Sequence, residues 1–273
     1  MHTLFSRVNT PFAILRAARY TQAMDYFLVF ENDLPWGVGI RAFGPEHTAW
    51  LLASAAVIFL LCLAAKKVSG RTFRTLQWVM CALVLACEAN RQLCLLSAGV
   101  WGVYTLPLHL CSMSVFLVLW HCIRGGTLAG ELLWCLTMPG AVFAIIFPDW
   151  LYYPAWNLLS LGTFLGHMML AAYPAFCTAR GLIRPDAKRL PKCFLCLLCT
   201  AAVIFVFNKL VDANYFFLNG PAPDSPLSLA AQYLGDPGYL VVFLPILATV
   251  WALLYLPLRL RPRSGGYPSG TSQ

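Results

Sequence analysis

Two histidines and a cysteine stand inside apolar runs of this 273-residue chain. His109 and Cys111 lie in "LPLHLCSMS" (residues 106–114), and His167 lies in "TFLGHMMLAAYP" (163–174). A thiol served by an imidazole is the equipment of nucleophilic acyl transfer: sulfur attacks an ester carbonyl, a thioester forms, and the ring carries the proton. Residues two apart on a regular helix point about 200° away from each other, so His109 and Cys111 are no local dyad. The base for Cys111 must come from another element, and His167 is the candidate. With a helix opening at residue 106, Cys111 falls just past the first turn, beyond the reach of the helix dipole. Spacing alone therefore favours a packing role for it. His109 is an orienting or oxyanion group in this scheme, with Asn157 as a second donor.

Around this trio the sequence places other polar side chains that could hold a substrate: Glu88, Arg91, Asn157, Asn208, Asp212, Asn214 and Tyr215. Glu88 and Arg91 are three apart and can also neutralise each other on one helix face. Eleven cysteines are scattered through the apolar runs without paired CxxC motifs of zinc spacing and without CxxCH. No metal and no cofactor is expected.

The elements that must carry these residues are membrane helices. The chain is 60% hydrophobic and only 11% charged, where a soluble domain carries roughly a quarter charged residues. The net charge of +8 falls in short clusters between apolar runs, a pattern of topology signals and not of a nucleic-acid face. The expected fold is all-α, a polytopic bundle of seven transmembrane helices, over 47–65, 75–97, 106–123, 128–147, 157–179, 193–211 and 238–258. Lys66, Lys67, Arg71 and Arg74 follow the first run; Arg180, Arg184, Lys188, Arg189 and Lys192 follow the fifth. Positive loops stay inside, which sets the N-terminus outside and the C-terminus inside. The chain then divides into a tail (1–45) with an interfacial helix over 11–30, a bundle (46–260) and a cytoplasmic tail (261–273). Arg16 and Arg19 break the only early apolar stretch, so no secretory signal is expected, and Met24 is an alternative start. On this topology nearly all ionisable groups within the spans gather in the outer half, with His121 and Glu131 as exceptions.

Four segments in order, "FGPEH", "LPLHLC", "TFLGHMMLAAYP" and "NYFFLNGPAPDSPLSLAAQYLGDPGY", resemble the YwaF-like bacterial integral membrane proteins across roughly residues 43 to 258. They are more distantly similar to a eukaryotic transmembrane acyltransferase that moves polyunsaturated acyl chains between phospholipids, and to the androgen-induced intramembrane hydrolases of fatty-acid esters. The resemblance implies an intramembrane nucleophile with a histidine on another span, and the histidine corresponds to His167. The acyltransferase cysteine between proline and histidine corresponds to Leu108 here, with Cys111 one turn on. Two functions follow as expectations: an acyltransferase or ester hydrolase acting on outer-leaflet lipid, or a small-molecule transporter or ligand-binding membrane protein using Glu88, Arg91 and Asp212. The expected partner is membrane lipid, not nucleic acid, and the expected location is the cell membrane.

Overall fold

The computed structural model describes residues 25–221 and 225–260, and all regular structure among them is helical. The helices are α1 (Pro45–Lys67), α2 (Gly70–Ser97), α3 (Leu110–Arg124), α4 (Thr127–Ile146), α5 (Leu158–Arg180), α6 (Leu190–Val211), α7 (Pro226–Leu234) and α8 (Phe243–Leu260). Six helical stretches are long and apolar enough to cross a membrane: α1, α2, α4, α5, Ala187–Val211 around α6 and Gly238–Leu258 leading through α8. The third expected span differs. α3 has 15 residues, about 22 Å at the helical rise, against about 30 Å of hydrocarbon. It begins at Leu110 and not at 106, because Pro107 disfavours helix in the residue before it and residues 102–105 close their own turn, Thr105 N–H on Gly102 O at 3.0 Å.

Local chemistry fixes the other ends. Pro45 opens α1 at its first helical position. Ser69 accepts from Thr72 N–H at 3.1 Å to start α2. Gly125 and Gly126, at φ 65° and 104°, turn the chain from α3 into α4.

α5 is the central helix. More than half of its apolar window is buried (56%), against 11% for α1 and α6, and α1, α2 and α4 pack round it. Its residues Phe164, Tyr173 and Phe176 are fully buried. Gly162 and Gly166 let α2 come close: a Cβ on Gly166 would meet Cys87 Cβ at 3.2 Å, and one on Gly162 would meet Asn90 Nδ2 at 2.9 Å. This small-xxx-small spacing is the common device by which membrane helices gain contact without a hydrophobic driving force.

In the fourth span Pro139 follows a change of helix type. A π-helical turn, Leu133–Thr137, precedes it, and the carbonyl the proline deprives of a partner, that of Cys135, accepts from Trp251 Nε1 of α8 at 3.0 Å. Other polar ties are equally well partnered. Arg180 of α5 donates to Ala65 O and Val68 O at the end of α1 (2.9 and 3.0 Å). His121 is buried and bonds the Tyr173 hydroxyl at 2.8 Å, a helix-to-helix tie. His47, also fully buried, accepts from Phe43 N–H (2.9 Å), so its Nε2–H donates to Ile145 O (2.8 Å).

Most of the interfacial helix expected over 11–30 lies outside the described residues. The described part of the tail is docked on the bundle: Leu158 N–H donates to Phe27 O at 2.9 Å and Ile40 N–H to Leu151 O at 2.7 Å.

Candidate functional site

A small cavity of about 70 Å³ lies between α2, α3 and α5. Cys87, Glu88 and Arg91 line it from α2, Cys111 and Ser112 from the start of α3, and Gly162, Thr163, Gly166 and His167 from α5. The close approach at the two glycines is what brings His167 opposite Glu88. Four residues singled out as chemical from the sequence, His167, Cys111, Glu88 and Arg91, thus share one lining.

His167 is held on two sides. Its ring stacks on Trp150, with centroids 4.9 Å apart and 16° between planes, and Nδ1 lies 2.8 Å from Thr163 O. A carbonyl only accepts, so in the neutral ring Nδ1 carries the proton and Nε2 keeps a lone pair. That is the protonation pattern of a base.

Cys111 is the second residue of α3, not a residue beyond its first turn, since the helix begins four residues later than the hydropathy suggests. Its position is therefore within reach of the helix dipole. His109 is the N-cap residue but provides no side-chain cap, which leaves the first-turn amides free of that competitor.

Glu88 is fully engaged. Arg91 Nη2 donates to Oε1 at 2.8 Å, Gln92 Nε2 donates to the same oxygen at 2.8 Å, and Ser112 Oγ donates to Oε2 at 3.1 Å. Gln92 is in turn bonded by Trp101 Nε1 at 2.9 Å. Glu88 thus fixes the start of α3 against α2, and both members of the pair line the cavity.

The remaining sequence candidates lie elsewhere. His109 is not among the lining residues and packs edge-on to Tyr215 (5.0 Å) and beside Phe217 (5.5 Å). Asn208 is buried and clamps that aromatic turn, giving Nδ2–H to Tyr215 O (2.9 Å) and accepting Tyr215 N–H (3.0 Å). The Tyr215 hydroxyl donates to Val103 O at 2.8 Å, pinning the last long loop over the approach to α3. Asn157 caps α5 through Leu159 N–H (2.9 Å) and donates to Tyr26 O and Val29 O (both 2.8 Å), outside the cavity lining. Asp212 ends α6 in a left-handed conformation and is exposed. Asn214, also exposed, closes its loop on Gly220 O at 3.0 Å.

Ser112, Thr163, Trp150 and Asp149 join the site without having been singled out by type and spacing. Asp149 is exposed before α5, within electrostatic range of His109, Cys111 and His167. The Gly162-xxx-Gly166 pattern next to His167 is the one sequence signal that points to this packing.

Fold and site together define a multi-pass, all-α membrane protein with a small, mostly apolar cavity into which a few polar side chains are set. Residues 42–255 match the TMEM164 family, and the chain belongs to that family. No curated protein and no solved structure matches it.

Proposed function

We propose that the chain is an intramembrane acyltransferase or lipid-ester hydrolase that works through Cys111 and His167. The observation that carries this is that both residues line one cavity, from helices α3 and α5. The resemblance of residues 43–258 to the YwaF-like proteins and, more distantly, to membrane acyltransferases points the same way.

Nε2 of His167 accepts the thiol proton as Cys111 Sγ attacks the ester carbonyl. Charge gathers on the carbonyl oxygen, where the uncapped first-turn amides of α3 and the Arg91 guanidinium can stabilise it. The acyl C–O bond breaks, His167 returns the proton to the leaving oxygen, and a thioester and a lysolipid remain. A second hydroxyl, from another lysolipid or from water, then attacks the thioester with His167 again as base, and the Cys111 thiol is restored. A standing charge is costly in hydrocarbon, so proton transfer accompanies attack.

Cavity size favours this reading over the transporter or ligand-binding alternative. A water needs about 10–15 Å³ of cavity, so 70 Å³ holds a few waters or an ester group with its chains left in the bilayer. It does not hold a polar solute of metabolite size. Glu88 moreover has both oxygens bonded within the protein.

In an assay of labelled-phospholipid turnover by protein in liposomes, Cys111→Ser is expected to reduce the rate by at least about 10²-fold, because a hydroxyl is much harder to activate than a thiol. Wild-type turnover by Cys111→Ser contradicts the thioester mechanism.

We further propose that α3, extended by residues 104–109, completes a seventh crossing, with the cavity toward the outer face of the cell membrane. The basic residues after α1 and α5 then lie inside. A cysteine at position 186 in a cysteine-free background is expected to resist an impermeant thiol reagent in intact cells and to react after permeabilisation. Labelling in intact cells contradicts the orientation.

A further inference from the structure

At the opposite end of α2 from the Glu88 cavity, a trough of about 520 Å³ runs along one exposed helix face, lined by Arg71, Arg74, Thr75, Trp78, Val79 and Ala82. The order along the helix is two cations, then a hydroxyl, then apolar side chains. From Arg71 to Ala82 the helix rises about 16 Å, close to half the ~30 Å hydrocarbon thickness. The trough therefore has the length of one leaflet, with charge at one end and a surface for an acyl chain below.

The cations are available and one is pre-set. The two ion pairs among the described residues are Glu88–Arg91 and Glu131–Arg189, so neither trough arginine is neutralised by a carboxylate. Arg74 is held in place by donating to Gln77 Oε1 (2.9 Å) and Cys122 O (2.7 Å), with its guanidinium over the Trp78 ring at 5.6 Å. Arg71 is exposed one turn away, and Lys66 and Lys67 end α1 just before it. Guanidinium groups match phosphate oxygens in geometry as well as charge.

We propose that this trough binds an anionic phospholipid of the leaflet at the basic end of the bundle. The whole anionic headgroup, in phosphatidylserine the phosphate together with the serine carboxylate that phosphatidylcholine lacks, sits against Arg71 and Arg74, and one acyl chain lies along Trp78, Val79 and Ala82. The site is separate from the Cys111–His167 cavity and does not depend on its chemistry.

The test presents purified protein in mixed micelles with phosphatidylserine and phosphatidylcholine of identical acyl chains and counts retained lipid by native mass spectrometry. Phosphatidylserine is expected to be retained about tenfold over phosphatidylcholine, given an attraction of this order for juxtamembrane cations. Arg71→Gln is expected to remove much of that preference, and Arg71→Gln with Arg74→Gln to abolish it. Arg71 is exposed, so its variant serves even where loss of the Arg74 bonds prevents folding. Equal retention of the two lipids by the wild type, or an unchanged preference in Arg71→Gln, overturns the site. Displacement of phosphatidylserine by millimolar glycerophosphoserine, which has no chains, overturns the lipid as its occupant.

Discussion

His167→Ala is expected to lower lipid-ester turnover by about 10²–10⁴-fold, the usual contribution of a positioned general base, while insertion and elution behaviour stay as in the wild type. The selectivity follows from how the ring is held. Its Nδ1–H reaches Thr163 O, one turn back in the same helix, a carbonyl placed to serve the helical backbone in any case, so truncation leaves no orphaned group there. What disappears is the only imidazole among the described residues of the cavity lining and with it the proposed acceptor for the Cys111 proton. His167→Gln keeps a hydrogen-bonding side chain but is not a base, and it is expected to be as inactive as alanine. Turnover within about threefold of wild type in either variant contradicts general-base catalysis, for which a loss of ~10² is the minimum.

The second large effect concerns stability, at the other end of the bundle. Glu131 is fully buried on α4 and gathers three donors from distant segments. Arg189 Nε lies 2.7 Å from Oε2, Asp186 N–H is shared by both oxygens at 3.2 Å, and the Tyr255 hydroxyl of α8 bonds Oε1. Removing one partner of a buried ion pair costs about 3–5 kcal/mol. Arg189 is part-exposed (28%) and can turn to water, which puts Glu131→Ala near ~3 kcal/mol, the lower end of that range. At ~2–4 °C per kcal/mol for chains of this size, the unfolding midpoint is expected to fall by about 6–12 °C. Glu131→Gln keeps an acceptor for Asp186 N–H and is expected to lose about half as much. A midpoint in Glu131→Ala within ~1 °C of wild type contradicts the assignment of this carboxylate as the tie between α4, the 186–189 turn and α8.

Hydropathy reveals the bundle because a run of some twenty apolar residues has few other uses. It averages over the window, however, and so misses where α3 starts. The start is set by Pro107 and by a hydroxyl from Tyr215, 112 residues along the chain from Val103. That difference moves Cys111 into the first turn. Glu131 stands out in the sequence as a carboxylate in an apolar span, but its partners are 55 to 124 residues away and carry no local mark. Asn157 and Asn208 illustrate a different limit. An asparagine at a helix end suits a ligand or a backbone cap equally by type, and here both bond backbone groups of segments folded over the bundle. His167 is legible because it is isolated in an apolar helix, and its neighbour could be found from the glycine spacing beside it.

The most direct test of acyl transfer through Cys111 is capture of the intermediate. Protein in liposomes containing phospholipid with an isotope-labelled acyl chain is quenched in acid during turnover, digested, and the peptide carrying residue 111 is weighed. The labelled acyl mass is expected on Cys111, released by neutral hydroxylamine as a thioester must be, and absent from Cys111→Ser. Sustained lipid turnover with no acyl group on Cys111, or with equal rates in Cys111→Ser, contradicts it.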